Sequence, residues 1–136
     1  MAGAPVDALR QVPLFADLTD EELAQVALLF KERRFAAGET VVQTGSGGAA
    51  FFVIDSGEAK VVVAGKERAT LKAGDHFGEI ALIDEDVRSA TIAATTDLVC
   101  YGLTLWEFRP LVFENGAIGW KLLQSLSRKL RSAELT

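Results

Sequence analysis

The sequence predicts a mainly β fold, a sandwich or roll flanked by helices at both ends, and three features predict it. Residues 33–103 fall into short runs rich in Val, Ile, Phe and Thr, separated by glycine turns at Gly38, Gly45 to Gly48, Gly57, Gly65 and Gly74. On either side of that stretch, apolar residues recur at helical spacings instead. Turn signals this frequent favour packed antiparallel strands over an alternating α/β architecture. A chain of 136 residues has room for one core, so 1–136 reads as a single domain: about 7–31 helical, 33–103 the β part and 104–133 helical again.

The N-terminal helix lies between Leu14 and Lys31. Thr19 is its N-cap and Glu22, three residues on, completes a reciprocal capping box, with Leu18 and Leu23 suited to the hydrophobic staple. Leu23, Val26, Ala27 and Phe30 then form one apolar stripe, so this helix flanks the core. The clearest strands are Phe51 to Ile54, Lys60 to Val63, Ala90 to Ala94 and Leu98 to Leu103, and Gly57 permits a tight reversal between two of them.

Gly45-Ser46-Gly47-Gly48-Ala49-Ala50 formally satisfies a dinucleotide-binding fingerprint, with alanine last. That fingerprint must open a helix, whereas Phe51-Phe52-Val53-Ile54 follows, a strand by composition; the glycines read as a flexible hairpin connection. Cys100, the single cysteine, sits in the apolar run Leu98 to Tyr101 and reads as a buried strand residue. His76, the single histidine, reads as a surface residue of a turn.

Beyond Leu103 a short helix is expected from Trp106 to Phe113 and, after the Asn115-Gly116 break, a longer one from Ile118 to about Ala133. Trp120, Leu123, Leu126 and Leu130 make a stripe on the longer helix, with two partners open to it, the β part or another chain. Arg128, Lys129 and Arg131 oppose the negative end of its dipole.

Composition removes several function classes. A net charge of −5 argues against a nucleic-acid surface, which needs clustered Lys and Arg. One histidine and one cysteine cannot furnish a metal site of the His- or Cys-rich kind, so no metal is expected. With no nucleophile elbow, P-loop lysine or paired carboxylates, no enzyme is expected either. No run is long enough for a membrane span and the first twenty residues lack a secretory pattern, so a cytoplasmic protein is expected.

The informative segment is Gly74-Asp75-His76-Phe77-Gly78-Glu79-Ile80-Ala81-Leu82, followed after an acidic loop by Arg88-Ser89-Ala90-Thr91. A glycine followed by a short apolar run suits a helical turn starting at Gly78 or Glu79, whose free amides form an anion cradle that Arg88 would complete. Guanidinium offers two parallel bonds to a phosphate, each worth on the order of 1.5–3 kcal/mol. Glu79 beside an anion needs a donor of its own, and a ribose hydroxyl is one. Singly, Glu79 reads as a helix-start carboxylate and Arg88 as the partner of Asp84, Glu85 or Asp86; together they read as a ribose phosphate site.

Phe77-Gly78-Glu79-Ile80-Ala81-Leu82 with Arg88-Ser89-Ala90-Thr91 closely resembles the phosphate-binding cassette of cyclic-nucleotide-binding domains, as found in catabolite-activator-type regulators, protein kinase A regulatory subunits and cyclic-nucleotide-gated channels. The resemblance covers nearly the whole chain, with the cassette at 77–91. It implies an eight-stranded antiparallel, jelly-roll-like β-roll with an N-terminal helix and two C-terminal helices. It further implies that Glu79 takes the ribose 2′-hydroxyl and Arg88 the cyclic phosphate, with Phe77, Gly78, Ile80, Ala81, Ser89 and Ala90 around them. Val61 and Ala69 match base-pocket positions, and Leu126 and Lys129 fall where relatives carry a lid residue.

The ligand implied is cAMP or cGMP, with Ser89 after the arginine leaning to cAMP. The expected protein is a sensor whose last helices move when ligand binds, acting on a protein partner in trans or on an effector domain outside this chain, with a homodimer through the last helix as a further option. The alternative is a β-roll interaction module that binds no ligand.

Overall fold

The structure, a computed structural model, describes residues 3–42, 50–78 and 90–134. Two four-stranded antiparallel sheets face each other, so the eight-stranded roll is borne out. The first sheet runs β1 (Lys31–Phe35), β8 (Leu98–Thr104), β3 (Ala50–Ser56), β6 (His76–Phe77). The second runs β2 (Thr40–Val42), β7 (Thr91–Ala94), β4 (Glu58–Val63), β5 (Lys66–Lys72). Helices α1 (Val6–Arg10) and α2 (Asp20–Leu29), with a 3-10 turn at Pro13–Phe15 between them, precede the roll. Helices α3 (Leu105–Glu114) and α4 (Gly116–Glu134) follow it.

The run Phe51 to Ile54 is apolar at every position because β3 is covered on both sides, and the two-residue period of a strand sorts its side chains. Phe51 and Val53 join a helical core with Leu9, Phe15, Val26, Phe30, Leu103, Phe108, Ile118 and Leu122. Phe52 and Ile54 join the core inside the roll with Ala59, Ile92, Ala94, Leu98 and Cys100. Phe51 is the hub of the helical core, its ring meeting those of Phe15 and Phe30 edge-on, each at 5.9 Å.

The capping box is present as read: Thr19 Oγ1 accepts from the Glu22 amide at 3.2 Å and Glu22 Oε1 from the Thr19 amide at 2.8 Å. Leu23, Val26, Ala27 and Phe30 are all buried. An unforeseen second box, Thr104 with Glu107, opens α3 one residue before the expected Trp106. Its signature, Thr-x-x-Glu ahead of an apolar run, was equally readable. Gly57 turns the chain from β3 into β4 with φ of +93°, and a Cβ there would overlap the carbonyl of Asp97.

Two expectations need correction, and one alternative left open is decided. The Gly45–Gly48 connection does not close a hairpin, because β2 pairs with β7 while β3 pairs with β8 and β6 in the other sheet. Its interior lies outside the described residues, and the strand assigned to Phe51–Ile54 stands. His76 is not a surface turn residue: it is half-buried in β6, pairs with Val53 and lies 5.8 Å from the ring of Phe51. On α4 the stripe of Trp120, Leu123 and Leu130 does not pack on the roll. Those three are exposed, and Ile118, Leu122 and Ser125, spaced by four and three, face the core instead. Of the stripe, only Leu126 reaches that core.

Candidate functional site

The approach to the cassette is built by a turn locked onto β3. Asp75 Oδ2 accepts from the Lys72 amide at 2.9 Å, the Gly74 amide donates to the Ile54 carbonyl at 2.9 Å, and the Ile54 amide donates to the Asp75 carbonyl at 2.9 Å. These bonds set β6 at the edge of the first sheet, with Phe77 opposite Phe52 and the two rings stacked at 5.2 Å. Gly78 follows with φ of +85°, a conformation open to glycine at no cost. The described chain resumes at Ala90 and enters β7, an inner strand of the second sheet. The two ends of the cassette therefore belong to different sheets of the roll.

Glu79, Ile80, Ala81, Arg88 and Ser89 lie outside the described residues, as does the acidic loop. The described members are Phe77 and Gly78 on the first sheet and Ala90, Val61 and Ala69 on the second. Val61 sits directly between Ile92 on β7 and Ala69 on β5, and Ile92 in turn faces Val42 on β2. Directly opposed residues of an antiparallel sheet project to the same side. Because Val61, Ile92 and Val42 all pack into the inner core, the whole row Val42–Ile92–Val61–Ala69 faces the roll's interior.

Burial along this row falls toward β5: Ile92 is buried, Val61 is half-buried and Ala69 is exposed. The next inner row, Ala94–Ala59–Leu71, is covered further, with Ala94 and Ala59 buried and Leu71 half-buried. The interior thus opens beside Val61 and Ala69 on an apolar wall, the kind of surface that takes the flat face of a base. A β-bulge between Val61 and Val62 skips Arg68 at this point, a common irregularity beside binding sites.

Phe52, Phe35 and Gly102 shape the first sheet's side of the roll interior and were not foreseen. Phe35 meets Phe52 edge-on at 6.2 Å, and Gly102, opposite Phe52, makes room for its ring: a Cβ there would fall 2.9 Å from Phe52 Cε1. The all-apolar run Phe51–Ile54 carries no signal for this, because which of its residues point inward and which strands flank them is decided by packing. Cys100 is fully buried as expected, and burial pushes its thiol up to about 12, so it stays a neutral thiol at neutral pH. No cluster of three or more His, Cys, Asp or Glu suited to a metal occurs among the described residues.

Leu126 and Lys129 are not brought to this row. Leu126 packs into the helical core, on the other side of the first sheet, and Lys129 lies along a groove beside Pro13 and Leu14. Three polar contacts hold α4 there: Lys121 Nζ to Glu22 Oε1 at 2.6 Å, Ser125 Oγ donating to the Pro13 carbonyl at 2.8 Å, and Arg128 to Asp17 at 2.7 Å.

A roll of this topology, with an apolar inner wall opening between two sheets that share a glycine-led connection, defines a ligand-binding β-roll class. Within it, the family model described as "Cyclic nucleotide-binding domain" matches residues 32–115, more than half of the chain. The chain belongs to the cyclic nucleotide-binding domain family. It is 38% identical over 92 residues to a cAMP-dependent protein kinase regulatory subunit of Emericella nidulans, covering 66% of this chain and 22% of that protein. To a cGMP-dependent protein kinase, isozyme 1, of Drosophila melanogaster it is 36% identical over 133 residues, covering 92% of this chain and 17% of that protein. It therefore spans about a fifth of the length of these relatives. Among solved structures, the N-terminal domain of a transcriptional regulator from Streptomyces coelicolor A3(2) superposes with a TM-score of 0.86 at 30% identity, over 93% of this chain and 94% of that one.

Proposed function

We propose that the chain is a cyclic-nucleotide sensor that binds cAMP inside the roll, performs no chemistry on it, and passes the event to a protein partner in the cytoplasm. In this reading Arg88 and the amides of Gly78, Ile80 and Ala81 hold the cyclic phosphate and Glu79 takes the ribose 2′-hydroxyl. Ser89, Ala90 and Phe77 complete the cradle, while Val61 and Ala69 support the base. The observation that carries it is the inner row that opens at Ala69, in a roll whose two sheets are joined through the cassette. Family membership supports the ligand class, since both curated relatives are named for a cyclic nucleotide. Ser89 supports cAMP over cGMP.

Signalling runs through α4. In the arrangement described, Leu126 lies on the far side of the first sheet from Val61, so bringing it or Lys129 over a bound base requires α4 to leave its contacts with Asp17 and Glu22. Ligand then acts by favouring a second placement of α3 and α4.

Thermal unfolding tests the reading. cAMP at a hundred times its dissociation constant stabilises the protein by about 2.7 kcal/mol, a shift of several degrees for a chain of this size. Arg88→Ala removes most of that shift, and cGMP gives a smaller one at equal concentration. An unchanged melting temperature with saturating cAMP and cGMP alike would overturn the proposal in favour of a ligand-free interaction module.

A further inference from the structure

A second feature lies away from the roll's interior. Helices α3 and α4 are joined through Asn115 alone and diverge around an apolar groove of about 470 Å³ walled by Phe108, Val112, Phe113, Trp120 and Leu123. Gly119 lets the helices approach closely near their junction, since a Cβ there would press on Val112 Cγ1 at 3.0 Å. Phe113 is 80% exposed and Trp120 64%, and Leu130 continues the apolar line along α4, a concentration of large side chains that a solvated surface seldom carries. The groove belongs to the helical core's side of the first sheet, so the nucleotide reading does not account for it.

Charge says what fits there. Arg109 lines the groove on the α3 side, its guanidinium 4.9 Å over the ring of Trp106, and Arg131 lies on the opposite flank of the α4 stripe by helical position. Neither is in an ion pair among the described residues. The other α4 cations, Lys121 and Arg128, are already engaged with Glu22 and Asp17 on the opposite face. A protein of net charge −5 thus presents an apolar channel with one arginine, Arg109, on its wall and a second, Arg131, further along α4 beyond the groove's lining. Tryptophan and arginine around a desolvated apolar centre is the composition of an interface hot spot. The channel's length along two helices suits a helix laid into a groove.

We propose that this groove binds one amphipathic helix of a partner protein, its apolar stripe filling the channel beside Phe113 and Trp120 and its flanking carboxylates pairing with Arg109 and Arg131. The groove is lined by α3 and α4 alone, so its test uses no nucleotide and can fail separately from the cAMP reading.

The probe is a fluorescein-labelled synthetic helix with leucines at positions i, i+3, i+4 and i+7 and glutamates on both flanks, read by anisotropy on the full chain. A matched peptide with lysines in place of the glutamates is the control. The glutamate peptide binds at least about tenfold tighter than the lysine peptide, and more weakly as salt is raised. Trp120→Ala abolishes binding while leaving the melting temperature within a few degrees. The double variant Arg109→Glu/Arg131→Glu inverts the preference, a result that lost folding could not produce. Equal affinity for the two peptides, no binding of either, or a dimer in equilibrium sedimentation that Trp120→Ala splits and the peptide does not displace would each overturn the proposal, the last by assigning the groove to a second copy.

Discussion

One oxygen of Glu22 ties two distant parts of the chain together: Oε1 accepts the Lys121 ammonium at 2.6 Å while also accepting the Thr19 amide at 2.8 Å that closes the capping box of α2. The carboxylate is only 12% exposed, so water screens the pair little. The same residue thus starts α2 and fastens α4 to it.

Removing the ammonium while keeping most of its aliphatic stem, as in Lys121→Met, lowers stability by about 1 kcal/mol at neutral pH, a drop of a few degrees in Tm. The hydrogen bond from Lys121 and then that from the Thr19 amide hold the Glu22 carboxyl below its ordinary value. A depressed carboxylate contributes stability that is complete above the unfolded value of about 4.3 and is lost as the pH falls through the folded one. The melting curves of wild type and variant therefore converge in acid. A gap that stays constant from about pH 7 down to about pH 3 would show that the pair contributes nothing through its charge.

Ala69 is exposed although its row faces the interior, because nothing among the described residues covers it. Ala69→Leu fills the opening beside Val61. The variant loses most of its cAMP affinity in calorimetry, and without ligand its Tm stays within about two degrees of wild type or rises, since the added side chain finds apolar neighbours. Unchanged affinity would place the base elsewhere.

Ala64 is the only non-glycine residue with positive φ among the described residues, at +53°, and with Gly65 at +77° it forms the two-residue turn between Val63 and Lys66. Both central residues of such a hairpin turn need positive φ, which asparagine and glycine adopt readily and alanine does not. Ala64→Asn accordingly raises stability by about 0.5–1 kcal/mol, measured by urea unfolding with an unchanged m-value. A lower midpoint would refute the assigned strain.

Elements whose signal is local are legible in the sequence alone. The α2 capping box rests on two side chains three residues apart, and the buried strands declared themselves through Val, Ile and Phe runs. The β part was read as starting at Arg33, whereas β1 already starts at Lys31, because Lys31 and Glu32 look like the end of the preceding helix. As an edge strand β1 carries charge that discourages pairing with other chains, and Lys31 reaches Glu107 at 2.8 Å. Within the candidate site, the cassette was readable as a motif, while Phe35, Phe52 and Gly102 were not, since their meeting depends on which strands become neighbours.

Helix α4 marks the boundary most sharply. It carries two apolar faces, Ile118 with Leu122 and Trp120 with Leu123 and Leu130, and each has helical spacing, so periodicity alone ranks neither first. Local propensity and the cassette's residue order were enough to establish a β-roll with helical ends and its family. Which face of α4 was buried, and that the row ending at Ala69 stayed open, depended on contacts between segments far apart in the chain. Such contacts come from shape and register across sheets, which neighbouring residues along a chain do not encode.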